Sequence, residues 1–189
     1  ADNIFSIDID ENQAYIDISE YGQVVNKGLQ VVTTDTVSVY CTNIATYSFD
    51  ASYVLPIDGI ADDYIIQTYD QSNGMDYNPT SAFVIVATED NTIVDITPAV
   101  KTLDNHQADA EYTITLNKGQ AYQVRSNMDY SGNRDLSGSR VTARDCKRIA
   151  VFNGNNLTTV PTTASSDSDC VFEQAMPLRS WGKKFVVTS

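Results

Sequence analysis

Apolar and polar residues alternate with period two through most of this chain, and the 3.6-residue period of an amphipathic helix is almost absent. Successive side chains on a strand point to opposite faces, so this pattern permits half-buried β-strands and little else. Segments 4–9, 15–18, 29–33, 37–41, 64–69, 83–87, 92–97, 112–116, 121–124, 140–143, 148–152 and 185–188 read as strands. They are short, rich in β-branched and aromatic residues, and punctuated by Gly, Asn and Asp. The clearest hairpin joins 82–88 to 92–97 through Glu89-Asp90-Asn91, and Pro98, which has no N–H to donate, stops the ladder. The expected fold is all-β, an antiparallel β-sandwich.

Composition narrows the function. With 189 residues the chain can bury a real core, and 25 acidic against 12 basic residues give a net charge of −13. That charge repels phosphates, which excludes nucleic acid and the anionic membrane surface as partners. The longest strongly apolar stretch, 82–87, is far short of the ~18 residues that span a bilayer, so membrane insertion is excluded too. Ala1-Asp2-Asn3 has neither a basic nor an apolar leader region. Abundant Thr, Ser, Asn and Tyr with few Lys, Arg and Glu is the composition of exported β-rich proteins, so the expected location is extracellular, secreted or at the cell surface.

The chain also resembles itself. Tyr15 precedes Gly22-Gln23 as Tyr112 precedes Gly119-Gln120, Gly28 to Asp35 aligns with Gly138 to Asp145, and Val37 to Tyr40 aligns with Ile149 to Phe152. Leu55-Pro56 followed by Tyr64-Ile65-Ile66 matches Met176-Pro177 followed by Phe185-Val186-Val187. Two related β-modules in tandem are implied, 1–108 and 109–189. The first continues into the hairpin at 82–97, whereas the second reaches Ser189 without one. A module lacking its last hairpin has an unpaired edge, so the reading predicts either a longer polypeptide or strands supplied by a neighbouring chain.

Few residues offer chemistry. His106 is the only histidine; it lies in a polar loop, and no Gly-x-Ser-x-Gly turn accompanies it, which argues against a nucleophile relay and against an enzyme. One His and scattered Cys give no zinc spacing. No cofactor is implied beyond Ca²⁺, for which Asp70 and Asp76, in the loop Asp70-Gln-Ser-Asn-Gly-Met-Asp76, are the candidate ligands, although the spacing is not that of an EF-hand. Asn156-Leu157-Thr158 is a glycosylation sequon. Arg140, Arg144 and Arg148 form a local basic patch, with internal pairing to Asp135 or Asp145 as the alternative. Eleven tyrosines and six phenylalanines serve packing or a stacking surface for glycans or proteins. Three cysteines leave one odd after any pairing. Cys146 and Cys170 are the disulfide candidate and Cys41 the candidate intermolecular thiol; the alternative is three reduced, packed thiols.

One resemblance goes beyond periodicity. It is carried by Thr36-Val-Ser-Val-Tyr40, Ser48-Phe-Asp-Ala-Ser-Tyr-Val-Leu-Pro56, Asp63-Tyr-Ile-Ile66, Phe83 to Thr92, Asp135 to Val141, Ile149-Ala-Val-Phe-Asn-Gly-Asn155, Glu173-Gln174 and Trp181-Gly182-Lys183. In this ordered set, from about residue 28 onward, the sequence resembles the N-terminal domain family of the IgG Fc-binding protein. The resemblance implies a secreted or surface-displayed, non-catalytic module serving adhesion or structural assembly in matrix, mucus or the cell surface, and the expected ligands are proteins and glycans. Self-association through unpaired edge strands is a further expectation. The family tends to carry a Cys just after the Val-Phe-x-Gly-Asn motif, bridged to the one before Glu-Gln; here Asn156 and Leu157 stand there, while Cys170 is kept and Cys146 lies upstream. The alternatives are a carbohydrate-binding or calcium-dependent lectin-like domain, and a non-catalytic fragment of a larger enzyme.

Overall fold

The computed structural model describes residues 4–45, 48–69, 80–127, 134–160 and 168–187. In chain order these form a one-turn helix α1 (Glu11–Ala14), then strands β1 (Val24–Val25), β2 (Val39–Ala45), β3 (Ser48–Val54), β4 (Asp63–Ile65), β5 (Ser81–Ala87), β6 (Thr92–Thr97), β7 (Tyr112–Leu116), β8 (Ala121–Arg125), β9 (Arg140–Ala143), β10 (Ile149–Thr158) and β11 (Asp169–Gln174). Single 3-10 turns at Arg144–Cys146 and Leu178–Ser180 complete the set. One sheet has the order β1-β8-β5-β10-β11, a second β4-β9-β6-β7, and β2 and β3 form a separate ribbon. Every pairing is antiparallel, as the alternation predicts.

The core lies between the two sheets. Every second residue of β5 and β6 is buried, and Phe83, Ile85, Val124, Ile149 and Val151 of the first sheet meet Tyr64, Val94, Ile96, Leu116 and Val141 of the second. Tyr64 is fully buried yet satisfied: its hydroxyl donates to Ile149 O at 2.8 Å and accepts the Ala61 N–H at 2.9 Å, and burial pushes the phenol up to about 12. These two bonds staple the segment before β4 to the start of β10.

Several expectations change. The hairpin between 82–88 and 92–97 does not pair with itself: β5 joins β8 and β10 in one sheet, and β6 joins β7 and β9 in the other. The polar connection crosses the sandwich, with Asn91 at φ 53 turning the chain, because both strands bury their inward residues in the same core. The division into modules 1–108 and 109–189 does not divide the core. Strands from either side of that boundary are hydrogen-bonded neighbours in both sheets, so their apolar faces are buried together. The expected strands at 4–9, 15–18 and 29–33 are absent, and Ile4, Phe5, Ile7 and Val32 are exposed. Among the described residues no strand pairs with them, and alternation without a partner does not make a strand. Asp10 instead caps α1, accepting the Asn12 N–H at 2.9 Å. Residues 184–187 are likewise outside any strand.

Candidate protein-contact site

The β2–β3 ribbon is built inside out. Pairing sets Tyr40 opposite Tyr53, Thr42 opposite Ala51 and Ile44 opposite Phe49. Residues two apart share a face, so these six form one surface. Its large members are open to solvent, with Tyr40 68%, Ile44 71%, Phe49 59% and Tyr53 43% exposed. The two tyrosine rings meet edge to face, 5.4 Å between centroids. The opposite face carries the polar residues Ser48, Asp50 and Ser52, and it is this face that meets the sandwich.

The contact is made by side chains, where a ladder would use backbone. Ser52 Oγ accepts the Gln174 N–H at 2.9 Å, Asp50 Oδ2 accepts the Phe172 N–H, and Gln174 Oε1 accepts the Leu55 N–H at 2.6 Å. Ser52 and Gln174 are both buried. The edge strand β11 thereby has amide donors satisfied without a further backbone neighbour. Between β3 and β11 lies a groove of about 370 Å³, lined in part by Asp50, Tyr53, Leu55, Phe172, Glu173 and Met176. Its only charged lining residues are the carboxylates Asp50 and Glu173.

On its other side β11 is held tightly by β10. Gly154 lies opposite Phe172, and a Cβ there would come 1.8 Å from Val171 O. Phe152 and Phe172 stack with centroids 5.4 Å apart and planes 4° from parallel. The glycine of the Val-Phe-Asn-Gly-Asn motif is thus a close-approach residue, and the Gln of Glu-Gln ties the ribbon to the sheet.

A family model described as IgGFc binding protein matches residues 50–189, which include all of β11 and β3 from Asp50 onward. The chain belongs to the IgGFc binding protein family. No curated protein and no solved structure gives a match. The family is one of binding domains, typically extracellular, and no helix among the described residues is long and apolar enough to cross a membrane.

In this IgGFc binding family member the cysteines are placed apart. Cys146 is exposed in the turn before β10, while Cys170 sits on β11 beside the far end of β10, near the irregular pairing between Asn155 and Thr158. Most of the length of β10 separates them, roughly 20 Å at a strand's rise per residue, and a disulfide needs Cα atoms within about 7 Å. In this structure the expected Cys146–Cys170 bridge is not present, and Cys41, Cys146 and Cys170 are all unbridged. Cys41 lies on β2, its Sγ 3.6 Å from Ser52 O. Burial pushes the Cys41 and Cys170 thiols up, away from the reactive thiolate.

The remaining candidates are also located. Asn156 is exposed on β10, with Oδ1 accepting the Thr80 N–H at 2.6 Å, and Thr158 of the sequon is buried. Asp70 and Asp76, the candidate Ca²⁺ ligands, lie outside the described residues; among the described residues no cluster of three metal-ligating side chains occurs. The basic patch is internally paired, but with other partners than expected. Arg140 bonds Asp63, Arg144 bonds Asp95 and Arg148 bonds Asp58, at 2.9, 2.7 and 2.8 Å. The bidentate Arg140 and Arg144 guanidinium groups hold the Asp63 and Asp95 carboxyls below the usual range.

His106 is not a bare loop residue. Its ring stacks on Tyr112 at 3.5 Å, and its Nε2 is 3.4 Å from Asp104 Oδ2, which accepts the Tyr122 hydroxyl at 3.1 Å. Burial drives the Tyr112 and Tyr122 phenols well above their ordinary range. These contacts tie the loop to the ends of β7 and β8. Sequence reading missed β3 and β11 as strands, and with them Asp50, Ser52 and Gln174. The signal was present in Ser48-Phe-Asp-Ala-Ser-Tyr-Val54, whose polar residues alternate with Phe49, Ala51 and Tyr53.

Proposed function

We propose that this chain is an extracellular, non-catalytic adhesion or structural module that makes protein–protein contacts in a matrix, mucus or cell-surface assembly. The observation that carries the reading is the inverted β2–β3 ribbon, which turns an aromatic and aliphatic face outward while its polar face is used to hold the ribbon on the sheet. Exposed aromatic anchors of this kind are what protein interfaces concentrate at their centres. The adjoining groove, with carboxylates in its lining, adds polar rim groups.

Tyr53→Ser and Phe49→Ser variants, checked for unchanged unfolding midpoints, test it. Surface plasmon resonance against immobilised extracellular proteins, IgG Fc among them, is expected to give a saturable signal that both variants weaken by tenfold or more, about 1.4 kcal/mol. A sugar profile on a glycan array, abolished by EDTA and unaffected by the two variants, would replace this reading with the lectin-like one.

A further inference from the structure

The ribbon also has an edge. β3 lies against β11, but β2 has no strand on its outer side among the described residues. Natural edge strands are protected by charge, proline, bulges or brevity. β2 has seven residues in unbroken register with β3, and from Thr36 to Phe49 the sequence contains no Asp, Glu, Lys, Arg, His, Pro or Gly. In a chain of net charge −13 such a stretch is conspicuous.

We propose that β2 pairs antiparallel with β2 of a second copy, forming a continuous sheet β3-β2-β2-β3 about a two-fold axis at Thr42. Charge selects this occupant. Two chains of net charge −13 repel, and a neutral seam lets them meet without bringing carboxylates together. Symmetry fixes the register: a two-fold at Thr42 sets Tyr40 of one copy opposite Ile44 of the other, an aromatic–β-branched pair of the kind that stabilises sheets. The apolar row of Phe49, Ile44, Tyr40 and Tyr53 then runs unbroken across both ribbons. The proposal rests on reading the ribbon as a contact site, and concerns its edge, whereas the function above concerns its face.

Thr42 is exposed and lies on the axis, so a charge placed there meets its own copy. Sedimentation equilibrium of the intact chain is expected to show a dimer that T42K and T42E each weaken by about fivefold or more, through like charges directly opposed. An equimolar mixture of T42K and T42E is expected to restore dimer, as heterodimer. Raising salt from about 0.05 M to about 0.5 M is expected to tighten the wild-type dimer, because screening relieves the repulsion around a neutral seam. A chain that stays monomeric at about 1 mM overturns the proposal. So does a dimer indifferent to both substitutions, or one loosened by salt, which would point to an ionic contact such as the exposed Lys183-Lys184-Phe185 segment. Circular dichroism establishes that each variant is folded, and loss in both singles without rescue in the mixture also counts against the register. Face binding is measured on the unsubstituted chain diluted below the dimer's dissociation constant, where it is monomeric, so either reading can fail alone.

Discussion

Substituting Gly154 by Ala tests whether β11, and the ribbon resting on it, depends on one hydrogen atom. A Cβ on Gly154 would stand 1.8 Å from Val171 O and 2.8 Å from its carbonyl carbon, where ordinary contact begins near 3.4 Å. The obstacle is backbone, so no rotamer change relieves it, and β11 must move outward by roughly 1.5 Å. A ladder bond stretched that far is lost. The hydrogen-bonded pairs at risk are Asn153 with Glu173 and Asn155 with Val171, at about 1 kcal/mol net per bond, together with the Phe152–Phe172 stack at about 0.5–1.5 kcal/mol. The expected loss is about 2–4 kcal/mol, read as a lowered urea midpoint with an unchanged slope. Amide exchange should accelerate at Phe172 and Gln174, whose N–H groups Asp50 and Ser52 accept. Gly138→Ala is the control: it has φ 91 with no atom within 4 Å, so only its left-handed backbone opposes a side chain, at about 1–2 kcal/mol, and β11 exchange should not change. A Gly154→Ala protein within about 0.5 kcal/mol of the parent, with unaltered exchange, would refute the reasoning.

Tyr64→Phe strands the Ala61 N–H and Ile149 carbonyl in the core and is expected to cost about 2–4 kcal/mol in urea unfolding; a loss under about 0.5 kcal/mol would show that the two bonds contribute little. Because burial raises the Tyr64 phenol from 10.0 to about 12, its contribution is complete below about pH 10 and declines as pH rises toward 12. Stability of the parent should therefore fall more steeply than that of Tyr64→Phe across that window, and parallel curves would contradict the assignment. Ser52→Ala leaves the buried Gln174 N–H unpaired and is expected to lose about 1–3 kcal/mol, with faster exchange in β3 and β11; slow exchange in both would show the ribbon is held otherwise. In the folded protein Cys146 should alkylate before Cys41 and Cys170, and mass spectrometry of the unfolded, unreduced chain should find three free thiols; a Cys146–Cys170 peptide pair would contradict the strand register.

Strand-forming capacity was legible without coordinates, since period-two alternation acts on each segment locally. Segments 83–87, 92–97, 112–116, 121–124 and 140–143 all lie within observed strands. The same pattern could not say which segments find partners. Residues 4–9 and 29–33 alternate as well as any, yet no edge receives them, while β3 was overlooked because its buried face is the polar one. Nor could it distinguish a hairpin from a crossing between sheets: Phe83, Ile85, Val94 and Ile96 face inward in either arrangement, and the short polar connection suits both.

The motifs were readable as a family signature before their physical roles were. Gly154 is required by the approach of Val171, and Gln174 by the amide of Leu55, both contacts between segments distant in sequence. Composition and alternation by themselves determined an acidic, all-β chain, because charge and side-chain direction are properties of each residue. Only the tertiary structure decided that strands from both halves share one core, that Cys146 and Cys170 lie at opposite ends of β10, and that one ribbon turns its aromatic face to solvent. Those outcomes depend on which edges meet, and that is fixed by the packing of the whole chain.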